Sequence, residues 1–209
     1  TFSNGDTISW TTKKLQLVAT LSVANTQSFT HVLSVTYDAA FPRPALFAQL
    51  HYRWMQDDGS EPSASFFSSE DTAPSADLFV GDPARLRLLL QNSGGASTTR
   101  FQLEYSSSSC TTWYPVSATP TWQEWSLRLT QHVPNLGSTT NRSALTDPAL
   151  LFTPGYVLSQ TNPAPALTLE DSTFTEYEWS IRSTGSAFTQ ATYCFRATNN
   201  GGTYNLSYP

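Results

Sequence analysis

The chain has 209 residues, a formal charge of −5 and a pI near 5.0, with 39% hydrophobic and only 13% charged residues. That length and apolar content hold one large β domain or two small ones with a core, which excludes a disordered chain despite the Ser/Thr-rich stretches. No basic patch exists to track phosphates, so nucleic acid is not an expected partner, and no apolar run reaches the roughly 18–20 residues of a membrane-spanning helix.

The first stretch, TFSNGDTISW, places Phe2, Ile8 and Trp10 at even positions, whereas LQLVATLSV carries Leu15, Leu17, Ala19, Leu21 and Val23 at odd ones. One continuous strand would bury one set and expose the other, so the intervening TTKK reads as a bulge or crossing point. Residues 1–12 are therefore expected to form a separate strand arm, and 13–209 a single sandwich domain. A start on Thr1 rather than Met reads as a mature end after removal of a leader peptide. FTHVLSVTY, with Phe29, His31, Leu33, Val35 and Tyr37 in phase, predicts a hairpin with the strand before it across the loop ANTQS. The prolines of DAAFPRPA, at 38–45, mark a loop.

Beyond that loop, LFAQLHYRW aligns Leu46, Ala48, Leu50, Tyr52 and Trp54. DDGSE then gathers Asp57, Asp58 and Glu61, but it lacks the spacing of a calcium loop and reads as a hairpin turn with Gly59 at positive φ. RLRLLL offers Leu86, Leu88 and Leu90, with Arg85 and Arg87 outward. RFQLEY offers Phe101, Leu103 and Tyr105; EWSLRL offers Trp125, Leu127 and Leu129. EYEWSIR sets Tyr177, Trp179 and Ile181 against Glu176, Glu178 and Arg182. ATYCFRA gives Tyr193, Phe195 and Ala197, and TYNLSY gives Tyr204, Leu206 and Tyr208. Polar alternates predict one solvated face per sheet. GDP, NSGG and NNGG supply turns, and no segment carries a helical stripe. The fold class expected is all-β: an antiparallel β-sandwich, immunoglobulin-like or jelly-roll-like, with an N-terminal strand arm. A closed barrel is the runner-up.

Chemistry-bearing residues are sparse. The two cysteines, Cys110 and Cys194, allow one intramolecular pairing, and two unrelated thiols are the alternative. His31, His51 and His132 show no metal-ligand spacing, and no nucleophile elbow or Cys/His arrangement is present. Glu176 and Glu178 share one strand face, where paired carboxylates are ordinarily solvated rather than catalytic. Neither an enzyme activity nor a cofactor is expected. Trp113, Tyr114 and Trp122 form a candidate platform for stacking on sugar rings, with Trp125 assigned to the core. Asn141 and Asn205 open NRS and NLS sequons, candidate glycosylation sites.

The segments HYRWMQDDGSEPSASFFSSEDT, RLRLLLQNSGGASTTRFQLEY, the lone Cys110, WQEW, TTNRSALTDP, TEYEWSIRST and ATYCFRATNNGG follow one another in an order that resembles a family. It is the family of β-sandwich repeats in large predicted surface proteins of uncultivated bacteria, and the resemblance covers about 49–209. The resemblance implies a secreted or surface-anchored β protein and a disulfide between Cys110 and Cys194; it implies no activity. A second likeness, to immunoglobulin strands reading Tyr-x-Cys-x-Ala, meets Tyr193, Phe195 and Ala197, with Phe195 where the core cysteine would stand. Cys194 then points to the opposite face, where a bridge to Cys110 would pin a loop to the outside of a sheet. Tyr193 is a candidate for a tyrosine-corner hydrogen bond.

These readings lead to two functional expectations. In the first, the chain is a structural subunit of an extracellular filament. Its arm, through Ile8 and Trp10 with Phe2 assisting, completes the sheet of another copy by donor-strand complementation, and head-to-tail repetition gives a homopolymer. In the second, the chain is a monomeric cell-surface adhesin or carbohydrate-binding module with surface glycans as partners.

Overall fold

A computed structural model describes residues 43–74, 78, 80–107, 109–119, 122–142 and 144–203, which fall in one compact unit, Phe41–Pro209. The arm with Phe2, Ile8 and Trp10, the 15–37 hairpin, and Tyr204 to Tyr208 with Asn205 lie outside the described residues. Among the described residues there is no helix. The strands are β1 (Phe47–Gln56), β2 (Ala84–Asn92), β3 (Ser97–Thr99), β4 (Phe101–Ser107), β5 (Tyr114–Pro115), β6 (Trp125–Leu127), β7 (Leu151–Phe152), β8 (Val157–Leu158), β9 (Leu167–Leu169), β10 (Thr173–Ser183) and β11 (Tyr193–Asn199).

The larger sheet runs β1–β2–β10–β6, all antiparallel. β7 and β8 add short parallel pairings to β10, so its second side is shared in turn by β7, β8 and β6. The second sheet is β11–β4–β5, also antiparallel, and β3 and β9 make a two-stranded ribbon. The fold is thus the antiparallel β-sandwich that the alternation predicts.

Period two explains the core between the sheets. Leu86, Leu88 and Leu90 of β2 meet Tyr177, Trp179 and Ile181 of β10 and Phe101, Leu103 and Tyr105 of β4, all at most 1% exposed. Tyr177 stacks on Trp179 at 5.5 Å, and Phe101 meets Tyr177 edge-on at 5.0 Å. Each such side chain contributes about 1.5–3 kcal/mol on burial. Asn162 ties the second sheet down: its Oδ1 accepts from Leu103 N (2.9 Å), and its Nδ2 donates to Leu103 O (2.9 Å) and Val116 O (2.8 Å). At the NNGG turn, Asn199 and Gly202 exchange two 2.9 Å main-chain bonds. Asn200 and Gly201 sit at φ +47° and +87°, the primed geometry that suits a right-twisted hairpin.

Four sequence expectations change. The register of β1 shifts between Gln49 and His51, so a bulge breaks the even phase of 46–54. Phe47, Tyr52 and Trp54 face the main core, while Leu50 packs on the opposite side with Leu89 and Phe174. Leu129, two residues past β6, is 56% exposed instead of continuing the row of Trp125 and Leu127. Gly59 does not take positive φ; the tightness there is steric, since a Cβ would stand 2.9 Å from Ser63 Oγ. The turn itself is real but wide: Gln56 N bonds Ser65 O and Phe67 N bonds Trp54 O, so the chain doubles back along β1.

The largest change concerns the outer face of the larger sheet. Arg85, Arg87, Glu176 and Glu178 alternate with the core residues as expected, yet all four are fully buried. Segments 57–66, 138–142 and 144–146 cover them. Arg142 Nη1 donates to Glu61 O and Thr140 N donates to Glu61 Oε1 (3.1 Å), which pins the two covers to each other. Two charged rows of opposite sign satisfy one another well enough to be roofed, so the outer face is closed to solvent along β2 and the stretch of β10 beside it.

Candidate functional site

Where β1, β6 and β11 converge, four aromatic side chains form a box. Trp54 meets Phe195 edge-on at 5.3 Å; Trp125 meets Phe195 at 5.0 Å and Tyr193 at 5.6 Å, both near perpendicular. Each comes from a strand position dictated by alternation, so the box is the open end of the same core. Tyr193 OH accepts from Phe188 N at 2.9 Å, the tyrosine-corner bond anticipated for this residue. Burial raises the Tyr193 phenol above its ordinary range, with the bond from Phe188 acting against it. Beside the box opens a cleft of about 540 Å³, whose walls include Leu78, Val80 and Phe188. Val80 and Phe188 are 58% and 68% exposed. That volume lies within the roughly 300–1,000 Å³ of ligand pockets, and its lining is mainly apolar and aromatic, with Ser183, Thr189, Gln190 and Thr192 among it.

β11 forms one wall. It pairs with β4 along one side, and among the described residues no strand pairs along the other. Gln49 reaches that side: its Oε1 accepts from Ala197 N at 2.9 Å. The bulge in β1 turns Gln49 inward, so a polar side chain caps the far end of the edge. Sequence reasoning singled out none of this as a site. The signal lies in the alternation that aligns Trp54, Trp125, Tyr193 and Phe195 with the core rows; what the sequence does not supply is that the core opens at one end.

The expected sites are distributed as follows. Cys110 and Cys194 are disulfide-bonded; Cys194 lies on the outer face of β11, and the bridge pins the loop between β4 and β5 there. Tyr114 and Trp122 come together edge-on at 5.9 Å, with Trp122 66% exposed. Trp113 does not join them: the Arg196 guanidinium lies 4.1 Å over its ring, and Glu104 Oε2 accepts from that guanidinium. Neighbours on a strand project to opposite faces, so Trp113 and Tyr114 do not present one flat surface. Trp125 is buried. Asn141 is exposed, and its Nδ2 donates to Asp147 Oδ2 at 3.0 Å.

The carboxylate pair has a different setting from the solvated one expected. Arg85 Nη1 donates to Glu178 Oε1 at 2.9 Å; Arg87 donates through Nε to Glu176 Oε2 and through Nη1 to Glu61 Oε1 (2.5 Å) and Glu178 Oε2 (3.1 Å). Burial raises the Glu176 and Glu178 carboxyls, with the arginines offsetting it in part. At Glu61 burial pushes the same way, but Arg87 and Thr140 outweigh it and the carboxyl sits below its ordinary range. Under its roof this cluster is closed to solvent. No family model, no curated protein and no solved structure matches this chain.

Proposed function

We propose that this chain is a structural subunit of an extracellular homopolymer. The aromatic cleft accepts an extended apolar segment from a second copy, and residues 1–12 are the donor. The observation that carries the reading is the coincidence of two features on β11. One of its sides lacks a strand partner among the described residues, and its inner aromatic face opens into the cleft. An added strand uses main-chain bonds for affinity and alternate side chains for selection. Ile8 and Trp10 share a phase and would each gain about 1.5–3 kcal/mol on full burial. Gln49 already occupies Ala197 N, so the incoming strand pairs beside Tyr193 and Phe195 and stops short of that end. Such an interface is head-to-tail, and with a rotation between copies that does not close a ring it propagates as a filament. The Cys110–Cys194 bridge suits the oxidising setting of a surface filament.

The test is the assembly state of the purified chain, read by light scattering and negative-stain microscopy. Polymers are expected for the parent, with loss on deleting 1–12 and on placing charge at the cleft rim with Val80→Arg and Phe188→Arg. A parent that stays monomeric at high concentration, or polymers that survive the deletion, would sink the proposal. The exposed Tyr114–Trp122 pair favours a second reading, a small glycan-binding patch, for which Trp122→Ala should abolish binding to immobilised glycans.

A further inference from the structure

We propose that His51, Glu70 and Asp71 bind a zinc ion, independently of the cleft. His51 comes from β1, and the two carboxylates come from the segment that doubles back along it. His51 Nδ1 lies 2.7 Å from Asp71 Oδ2 and 3.3 Å from Glu70 Oε1, and the ligand atoms of all three residues lie within 4.8 Å of one another. Around a tetrahedral zinc with bonds of about 2.0–2.1 Å, ligand atoms stand about 3.3 Å apart. The Glu70 separation already matches; the Asp71 one needs to open by about 0.6 Å as the hydrogen bond gives way to two metal bonds.

Groups outside the trio aim the carboxylates. Thr146, from a distant loop, donates through N to Glu70 Oε1 (2.7 Å) and through Oγ1 to Oε2 (2.8 Å). Tyr52 N donates to Asp71 Oδ1 at 2.9 Å, which leaves Oδ2 turned to the histidine. Asp71 N in turn donates to Tyr52 O at 2.9 Å, fixing a residue held at φ +55°. Such outer contacts are what orient ligands in metal centres. One imidazole nitrogen with two carboxylate oxygens is a borderline donor set, and two carboxylates balance a dication. On binding, Nδ1 supplies its lone pair and the ring proton resides on Nε2, which has no partner among the described residues. The side chains are 30%, 23% and 40% exposed, so water can complete the shell.

The experiment uses the full, disulfide-intact, tag-free chain after chelator treatment, titrated calorimetrically with zinc chloride. One zinc per chain is expected. His51→Ala and Asp71→Asn should each weaken binding at least 30-fold, and Thr146→Val by about 10-fold through the lost hydroxyl bond to Glu70 Oε2, the main-chain bond from Thr146 N to Oε1 being kept. Cobalt substitution should give visible bands of a four- or five-coordinate site in the parent and not in His51→Ala. Near-UV circular dichroism checks that each variant is folded, and the near-isosteric Asp71→Asn stands in if His51→Ala is not. No binding by the parent, or undiminished binding by a folded variant lacking His51 or the Asp71 carboxylate, would overturn the assignment.

Discussion

Replacing Arg87 by Met tests whether the charged outer face is truly sealed. Arg87 is fully buried, and three carboxylates lean on it. Without it, Glu178 keeps Arg85 at 2.9 Å and Glu61 keeps Thr140, but Glu176 loses its ion-pair partner and keeps only the weaker, more distant pull of Arg142. Its Oε1 is already buried without a partner among the described residues. Removing one partner of a buried pair costs about 3–5 kcal/mol. Protonation sets a ceiling on the Glu176 share. Neutralising a carboxyl of ordinary pKa near 4.3 costs about 4.4 kcal/mol at pH 7.5 and about 1 kcal/mol at pH 5. The two pH terms agree in sign. Glu176, raised in the fold and raised further without Arg87, penalises folding increasingly as pH climbs through its folded range. Glu61, lowered in the fold by Arg87, contributes stability above its unfolded pKa, and the variant forfeits that contribution. The loss on Arg87→Met should therefore be about 3–4.5 kcal/mol at pH 7.5 and about 1–2 kcal/mol at pH 5. Urea unfolding followed by tryptophan fluorescence, at both pH values and with the m-value checked for constancy, reads this directly. A loss below about 1 kcal/mol at pH 7.5, or equal losses at the two pH values, would mean that water reaches these groups and that the roof is wrong.

Cys194→Ser with Cys110→Ser opens a bridge across 84 residues of sequence separation; chain entropy predicts a loss of about 4.5 kcal/mol, checked by thermal unfolding with and without reductant, which should move the parent but not the double variant. Asn162→Ala removes three side-chain bonds to the main chain of Leu103 and Val116 and should cost about 2–4 kcal/mol; hydrogen exchange should rise first at Leu103 N.

Much of the fold was legible because alternation is a direct consequence of strand geometry. β2, β4, β10 and β11 carry their core residues in the phase the sequence shows. The bulge in β1 was not legible, since the even row from Leu46 to Trp54 is apolar without a break and one inserted residue leaves no mark in composition. Nor was the roof. Polarity distinguishes the core-facing row from the other row, but not a wet row from one covered by loops. A signal did exist: Arg-x-Arg in one strand and Glu-x-Glu in another are matched in spacing and opposite in charge. Read together they predict pairing; read singly they suggest solvation. The cleft was invisible for a different reason. It depends on which strand edge lacks a neighbour, a property of topology that local pattern does not carry. His51 stands far in sequence from the adjacent Glu70 and Asp71, and the return of 65–71 along β1 is what brings them together.

The buried charges bear on how the chain chooses its pairing more than on how tightly it folds. A pair such as Arg85–Glu178 gains little over apolar residues of the same volume, because desolvation cancels most of the attraction. Its effect on competing arrangements is large. Sliding β2 by one residue against β10 would turn Arg85 and Arg87 into the aromatic core and present Leu86, Leu88 and Leu90 to Glu176 and Glu178. Every stranded ion would then cost several kcal/mol. An apolar outer row would make the two faces of β2 nearly equivalent and leave that slip almost free. Opposite charges on adjoining central strands remove the ambiguity. That fixed register also determines where Trp54 and Trp125 stand, since Trp54 is placed by β1 on β2 and Trp125 by β6 on β10, while Tyr193 and Phe195 are placed by β11 on β4. The geometry of the open cleft on one side of the sheet thus rests on the closed charge cluster on the other.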